Sequence, residues 1–376
     1  MIDPATASAD IDLAAFRANV SAIGAHVGTT QLMIVVKADG YGHGMAAAAR
    51  AARAGGADWL GVALLDEALQ LRHAGDTGPL LSWLAVPGER YDAAIDAGVD
   101  VSAYSVAQLA EIEAAARASR RRARVQLKLD SGLARGGATT EAWPALVAAA
   151  RSAERAGVVE VTGVWSHLAC SDEPTHPSVA AQLTAYDAGV AEARAAGLEP
   201  QHLHLANSAA TMAIPAAWHT TVRPGIALYG VTPFADGTSL VSLRPAMRLH
   251  ARLAMVKRVG AGQGVSYGHS YTTAAATSLA LVPLGYGDGV PRHAGNRGPV
   301  QIRGQRFRIA GRVSMDQVVV DVGDLPAEAG DLAVLIGGAA DGEPTAHDWA
   351  AAADTIGYEI VTRIGSRVPR RYVGAI

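Results

Sequence analysis

Lys37 is the residue whose setting most needs a chemical explanation. It ends the apolar run QLMIVV inside the segment VVKADGYGHG (35–44), and a glycine-punctuated turn carrying Tyr41 and His43 follows it. An ammonium at the end of a buried run is costly unless it is paired or reactive. Burial or nearby positive charge lowers a lysine pKa until the free amine is a nucleophile, which allows Schiff-base chemistry. A lone lysine at a strand end is more commonly just solvated. Two other segments change that weighing. RPGIALYG (223–230) sets Arg223 before Gly225 and Ile226 at a turn, and HLANSAA (204–210) sets Asn207 and Ser208 where a helix should begin. Backbone N–H groups at such turns bind phosphate, aided by a serine hydroxyl and the helix dipole. Each segment alone is a routine cap or turn. Together they point to a small phosphorylated cofactor held near Lys37.

A second chemistry competes for the histidines. In HLHL (202–205), His202 and His204 share one face of a strand, and His167 ends another. Imidazoles so spaced can chelate zinc, which would suit a metal-dependent barrel hydrolase. No acidic ligand accompanies them, and histidines in strands are usually hydrogen-bonded structural residues, so the reading assigns no metal. Tyr267, in GVSYGHSY (264–271), is by itself an ordinary packing tyrosine at a turn. Cys170 reads as a small buried filler.

The elements that must position these residues fall into two patterns. Up to about residue 240, short apolar runs alternate with alanine-rich helical stretches. Candidate strands are QLMIVV (31–36), DWLGVAL (58–64), PLLSWLA (79–85), GVDVSAY (98–104), RVQLKLD (124–130), VTGVWSH (161–167), QHLHLA (201–206) and IALYG (226–230). Helical segments lie at 44–55, 105–119 and 141–157, and Gly55, Gly157 and Gly197 suit left-handed C-caps. Eight strands interleaved with helices predict an α/β fold, a parallel (β/α)8 TIM barrel, whose chemistry gathers at the C-terminal strand ends. A doubly wound open sheet is the alternative, but no GxGxxG follows an early strand. Beyond residue 240 the runs are strand-like with glycine-rich turns, and helical periodicity returns only at HDWAAAADTIG (347–357). This predicts residues 1–240 as the barrel and 241–376 as a mainly-β domain, which the first strand, in ADIDLAA, could join.

Composition removes other classes. The 376 residues are 50% hydrophobic and 18% charged, with a formal net charge of −3. Disorder needs the opposite balance, and a near-neutral chain makes no electrostatic case for nucleic acid. One cysteine excludes a disulfide scaffold and fits a reducing compartment. No apolar run is long enough to span a membrane. The start lacks a basic n-region and an apolar h-region, so the expected location is the cytoplasm.

The motifs also carry a resemblance. VVKADGYGHG, KLDSGLARGG (128–137), SHLACSDEP (166–174), HLANSAA, RPGIALYG, GVSYGHSY, PLGYGDGVPR (283–292) and GRVSMDQVVVD (311–321) recur in this order in the alanine racemases. The chain resembles these pyridoxal 5'-phosphate enzymes of fold type III nearly end to end. The resemblance implies interconversion of L- and D-alanine, supplying D-alanine for the bacterial cell wall. It implies that Lys37 carries the cofactor as an imine and is one catalytic base, and that Tyr267 is the other. Tyr41, Ser208, Gly225, Ile226 and Tyr358 would hold the phosphate, with Asn207 beside them. His167 would lie by the pyridine ring and Arg223 would face its nitrogen. Arg135 would tie down Tyr267 and the cofactor's phenolic oxygen, with Lys128 nearby. Met315 would help bind substrate, and Tyr286 and Asp316 would line the entrance. Because Tyr267, Met315 and Tyr286 serve the other subunit in this family, a head-to-tail homodimer is implied.

The implied residue types suit the chemistry. Racemisation removes an α-proton from one face of a planar carbanion and returns one to the other. Lysine and tyrosine ordinarily titrate near 10.4 and 10, so both need a lowered pKa to act as bases near neutrality. Arg223 offers only donors, where many pyridoxal enzymes place a carboxylate, so the ring nitrogen should stay unprotonated. Two positions depart from the commonest family form: Ser131 replaces threonine, and Ala134 replaces glycine, which restricts the backbone beside Arg135. Lys128 is carbamylated in some relatives; an ordinary lysine or a bound anion are the other readings. A serine or broad-specificity racemase, a non-catalytic cofactor carrier and a decarboxylase are the competing classes. Carriers lack the β domain, and decarboxylases of this fold carry a cysteine in the second domain, where this chain has none.

Overall fold

The computed structural model describes residues 6–375. Strand β1 (Ala7–Asp12) comes first and runs into a helix, Leu13–Val27, capped by the Asp12 carboxylate on Ala15 N at 2.8 Å. Eight parallel strands follow: β2 (Gln31–Val35), β3 (Trp59–Val62), β4 (Leu80–Ser82), β5 (Asp100–Ala103), β6 (Ala123–Lys128), β7 (Val159–Trp165), β8 (His202–His204) and β9 (Thr221–Val222). They pair in sequence order, and β9 pairs back with β2. Hydrogen bonds from Thr220 N to Leu203 O (3.1 Å) and Arg223 N to Ala206 O (2.9 Å) close the remaining seam. This is the barrel, not the open sheet. Alternation along β2 explains its two faces. Met33 turns inward onto Trp59 and Leu81, while Leu32 and Ile34 join the outer core under the helices.

Two expectations need correction. IALYG is not the eighth strand: Ile226–Tyr229 is a buried 3₁₀ turn, entered at Gly225 and ended by left-handed Gly230. A short apolar run surrounded by protein has no periodicity to separate strand from helix. The eighth strand is the two-residue Thr221–Val222, which Pro224 follows closely. Gly157 and Gly197 do adopt positive φ after their helices, but Gly55 sits at φ −85 and Gly56 takes the left-handed place at φ 102.

After the barrel the chain forms β10 (Met247–Arg252), β11 (Met255–Val259), β12 (Gly264–Val265), β13 (Tyr271–Thr272), β14 (Thr277–Val282), β15 (Pro299–Ile302), β16 (Gln305–Arg308), β17 (Val318–Gly323), β18 (Leu332–Ile336) and β19 (Arg370–Val373). A six-stranded sheet runs β16-β15-β18-β10-β1-β19, so the first strand of the chain lies between β10 and β19. A three-stranded sheet, β11-β14-β17, and the β12-β13 hairpin complete the β part. Two helices interrupt it, Ala346–Ala353 and Gly357–Thr362. Among the described residues no helix is long and apolar enough to cross a membrane.

Candidate active site

Lys37 leaves the C-terminal end of β2 into a turn of opposite hand. Ala38, Asp39, Gly40, Tyr41 and Gly42 all have φ between 50 and 78. Each non-glycine residue there costs roughly 1–2 kcal/mol, so the conformation must be held from outside. Glu67 accepts a hydrogen bond from Ala38 N at 2.6 Å. Asp39 accepts one from Met45 N at 2.8 Å, which starts the helix Met45–Ala54. His43 Nδ1 lies 2.9 Å from Tyr41 O. Gly42 is required by contact as well as by handedness: a Cβ there would lie 2.5 Å from Val361 O. The strained turn leaves Lys37 at the barrel mouth and buries Tyr41, whose ring lies 4.9 Å from that of Tyr229.

Cations and indoles crowd that mouth. Lys37 Nζ is 5.9 Å from the Trp83 ring, Lys128 Nζ is 4.3 Å from Trp165, and the Arg223 guanidinium carbon is 5.0 Å from Trp165. Burial, then Arg135 and Arg223, lower the Lys37 pKa against the opposing pull of Glu67. Burial, then Arg223 and Arg135, push Lys128 down to about 8. Arg223 donates to Ser166 O at 2.8 Å and lies 3.2 Å from His167 Nδ1 and 3.0 Å from His204 Nδ1. Burial and Arg223 hold both histidines well below the ordinary range, so both are neutral near pH 7. Burial lowers Arg223 itself only to about 10, and it remains a cation.

Beside this cluster lies a group of donors. Ser208 begins the helix Ser208–Ala213, and its Oγ accepts from Gly225 N at 2.8 Å. A Cβ on Gly225 would lie 2.3 Å from Tyr41 Oη. The Tyr41 and Tyr358 rings are 6.5 Å apart, and burial raises both phenol pKa values, so both stay protonated donors. Ile226 starts the 3₁₀ turn next to Gly225. Hydroxyls and backbone N–H groups gathered in this way suit a phosphate. Next to Ser208, the Asn207 Oδ1 accepts from Ala210 N (3.1 Å) and Ser171 Oγ (2.9 Å), a helix cap that also ties down the loop after β7.

The structure therefore brings Lys37, Tyr41, Lys128, His167, Ser208, Arg223, Gly225, Ile226 and Tyr358 to one end of the barrel. Arg135 is exposed on the loop after β6, near enough to act on both lysines. Asp130 holds that loop by accepting from the N–H groups of residues 132, 133 and 134 at 2.9–3.1 Å. Ala134 there takes φ 56, the strained backbone that glycine would relieve. Tyr267, Tyr286, Met315 and Asp316 belong to the β part. Tyr267 tips the β12-β13 hairpin, 71% exposed. Tyr286 and Met315 lie together, joined by Tyr286 N to Ser314 O (3.0 Å) and Gly287 N to Met315 O (2.8 Å). Arg367 ties them further by pairing with Asp316 (2.8 Å) and Asp288 (3.1 Å).

Sequence reasoning missed Trp83, Trp165, Ser166 and Glu67. Trp165 and Lys128 sit at inward positions of their strands, but strand alternation alone does not say which barrel layer faces a ligand. His204 is no metal ligand, because both ring nitrogens are engaged, Nδ1 with Arg223 and Nε2 with Gln126 at 2.7 Å. Among the described residues no group of three or more potential ligands could hold a metal. Cys170 is a free thiol but only half-buried, not the buried filler expected.

A parallel barrel with a lysine of lowered pKa among cations and hydroxyls at its mouth, followed by a β part, defines the class to which the fold and site belong. The profile of the alanine racemase N-terminal domain matches residues 11–233, and that of the C-terminal domain matches residues 246–372. The alanine racemase of Thermobifida fusca is 55% identical over 370 residues, covering 98% of this chain and 99% of that protein. The crystal structure of alanine racemase from D-cycloserine-producing Streptomyces lavendulae superposes with a TM-score of 0.98 at 52% identity, covering 99% of this chain and 98% of that one. Alanine racemase from Bartonella henselae, solved with covalently bound pyridoxal phosphate, gives 0.88 at 28% identity, covering 98% of this chain and 99% of its own. The chain belongs to the alanine racemase family, and it is an isomerase of that family.

Proposed function

We propose that this enzyme interconverts L- and D-alanine with pyridoxal 5'-phosphate bound through Lys37. The observation that carries the reading is the lowered pKa of the Lys37 amine, among cations at the barrel mouth, beside the gathered groups of Tyr41, Ser208, Gly225 and Tyr358. Tyr41, Ser208, Tyr358 and the N–H groups of Gly225 and Ile226 would hold the phosphate. His167 would lie against the ring, and Arg223 would face its nitrogen with donors only. The cofactor supplies an electron sink for the charge left on the α-carbon when its proton is removed. Lys37 takes or returns that proton on one face, and its lowered pKa enlarges the neutral fraction of the amine that can do so. Tyr267 of a second copy does the same on the other face. Arg135 and Lys128 add positive charge, Met315 borders the substrate, and Tyr286 and Asp316 narrow the entrance. The chain divides near residue 240 into a barrel and a β domain, with β1 paired in the latter. The dimer is head-to-tail, and the product D-alanine serves peptidoglycan synthesis in the cytoplasm.

The test is a racemisation assay over several L-amino acids, with and without added cofactor. Lys37→Ala should lose the visible absorption of the lysine-bound cofactor together with activity. Tyr267→Phe should keep that absorption and lose most turnover. Full activity in Tyr267→Phe would remove the two-base scheme. Equal turnover of serine or bulkier amino acids would replace alanine with a broader substrate class.

A further inference from the structure

The interior of the barrel contains a chain of polar residues leading away from Arg223, and beyond that arginine the reaction scheme above uses none of them. It begins at Arg223 Nη1, 3.0 Å from His204 Nδ1. His204 Nε2 is 2.7 Å from Gln126 Oε1, and Gln126 Nε2 donates to Asp100 Oδ2 at 3.1 Å. Asp100, the first residue of β5, lies at the opposite end of the barrel from Lys37. Its carboxylate also accepts from Thr162 Oγ1 and Arg124 Nε, each at 2.7 Å. Asp100, Gln126, His204 and Arg223 are all buried. Gly163 makes the room, since a Cβ there would lie 3.1 Å from Gln126 Oε1.

The direction of donation along this chain is dictated from its ends. Arginine has donors only, and a carboxylate has acceptors only. With Asp100 accepting, the Gln126 amide must turn its NH₂ downward and its oxygen upward. That oxygen requires a proton on His204 Nε2. A neutral imidazole then has a bare Nδ1, which is what Arg223 needs. Reversing any one group sets two donors or two acceptors face to face in a dry interior, where an unmet polar group costs about 1–3 kcal/mol.

We propose that Asp100 is a positioning residue for Arg223, acting through Gln126 and His204 to fix one imidazole tautomer and so the orientation of the guanidinium at the mouth. The inference rests on the proposed function only in taking the cofactor ring as the group that Arg223 faces. In Asp100→Asn, Arg124 claims the remaining carbonyl oxygen, so the new NH₂ meets Gln126. The amide then flips and the histidine tautomer is pushed to Nδ1–H, against Arg223.

The experiment reads imidazole ¹⁵N shifts in histidine-labelled holoenzyme, assigned with His204→Gln. Wild type should show His204 protonated on Nε2 alone, and Asp100→Asn should lose that signature. Thr162→Val removes a bond to the same carboxylate without reversing any donor, so it should keep the signature. A role in stability alone would leave the tautomer unchanged in both variants. Turnover of Asp100→Asn should fall about tenfold, the usual scale for a residue that orients a functional group from behind. Gln126→Leu breaks the same chain in the middle, and serves if Asp100→Asn does not fold. The double variant should then be no slower than either single one, because both act on one path. An Nδ1–H His204 in wild type, an unchanged tautomer in Asp100→Asn, or multiplicative losses in the double variant would each overturn the proposal. In those cases the lysine-linked absorption of wild type remains. Its absence would instead overturn the proposed function.

Discussion

Lys128 shows how the site sets the properties of a single residue. Burial disfavours its ammonium, and repulsion from Arg223, Arg135 and Lys37 adds to that against the pull of Asp130, so its pKa falls to about 8. In the unfolded chain the same amine titrates at its ordinary value of 10.5. Between those two pH values the unfolded chain binds a proton that the folded one does not, so stability rises with pH across the window. Below about pH 8 both states are charged, and the fold carries the full cost of burying an ammonium, partly offset by the Trp165 face. Lys128→Met keeps the stem and removes the charge. Urea unfolding of cofactor-free protein in CO2-free buffer should find the variant more stable than wild type at pH 7, with the gap narrowing toward pH 10. A gap independent of pH would mean that the amine is solvated after all. The sequence made Lys37 and Arg223 legible because each stands in a motif. The pKa of Lys128 was not legible, since it depends on Trp165 and on cations from three separate segments.

At the scale of elements, seven of the barrel strands could be read from apolar runs, and the eighth could not. Thr221–Val222 is too short to show alternation, and IALYG offered a stronger apolar run just beyond it. The left-handed turn after Lys37 was likewise only half legible. Gly40, Gly42 and Gly44 mark a turn, but Ala38, Asp39 and Tyr41 give no sign that they share its handedness. That turn is held against the helix Gly357–Thr362, which carries Tyr358. Gly42→Ala adds both a Cβ at φ 78 and a collision with Val361 O. It should destabilise the protein by about 2–4 kcal/mol, the backbone cost plus overpacking. Gly342→Ala is the control, because Gly342 shares the left-handed backbone (φ 69, ψ 8) and its missing Cβ would meet only the Gln301 side-chain nitrogen, at 3.4 Å. It should cost only about 1 kcal/mol. Equal losses in the two variants, measured by urea unfolding, would show that the turn and the helix are not pressed together. Cofactor affinity should fall in Gly42→Ala alone, since only that turn carries Tyr41.

At the scale of the whole molecule, eight of the large apolar side chains left exposed have a pattern that one chain does not explain. Leu64, Leu84, Val86 and Val106 follow β3, β4 and β5 at the mouth end of the barrel. Tyr267, Tyr286, Met315 and Ile356 stand exposed on the β part. Large apolar groups gathered on two faces of one chain are what an interface between copies buries. A head-to-tail pair would set the β face of each copy over the barrel mouth of the other, so each site would take Lys37 from one chain and Tyr267 from its twin. Mixing variants tests that arrangement directly. Lys37→Ala and Tyr267→Phe should each be nearly inactive alone. Dissociated, mixed equally and reassociated, half of the dimers are hybrids. Each hybrid contains one site with both defects and one site with neither. Activity should therefore recover to about a quarter of the wild-type value per total protein, as random pairing in a two-fold dimer requires. If both residues came from the same chain, every site would keep one defect and mixing would restore nothing.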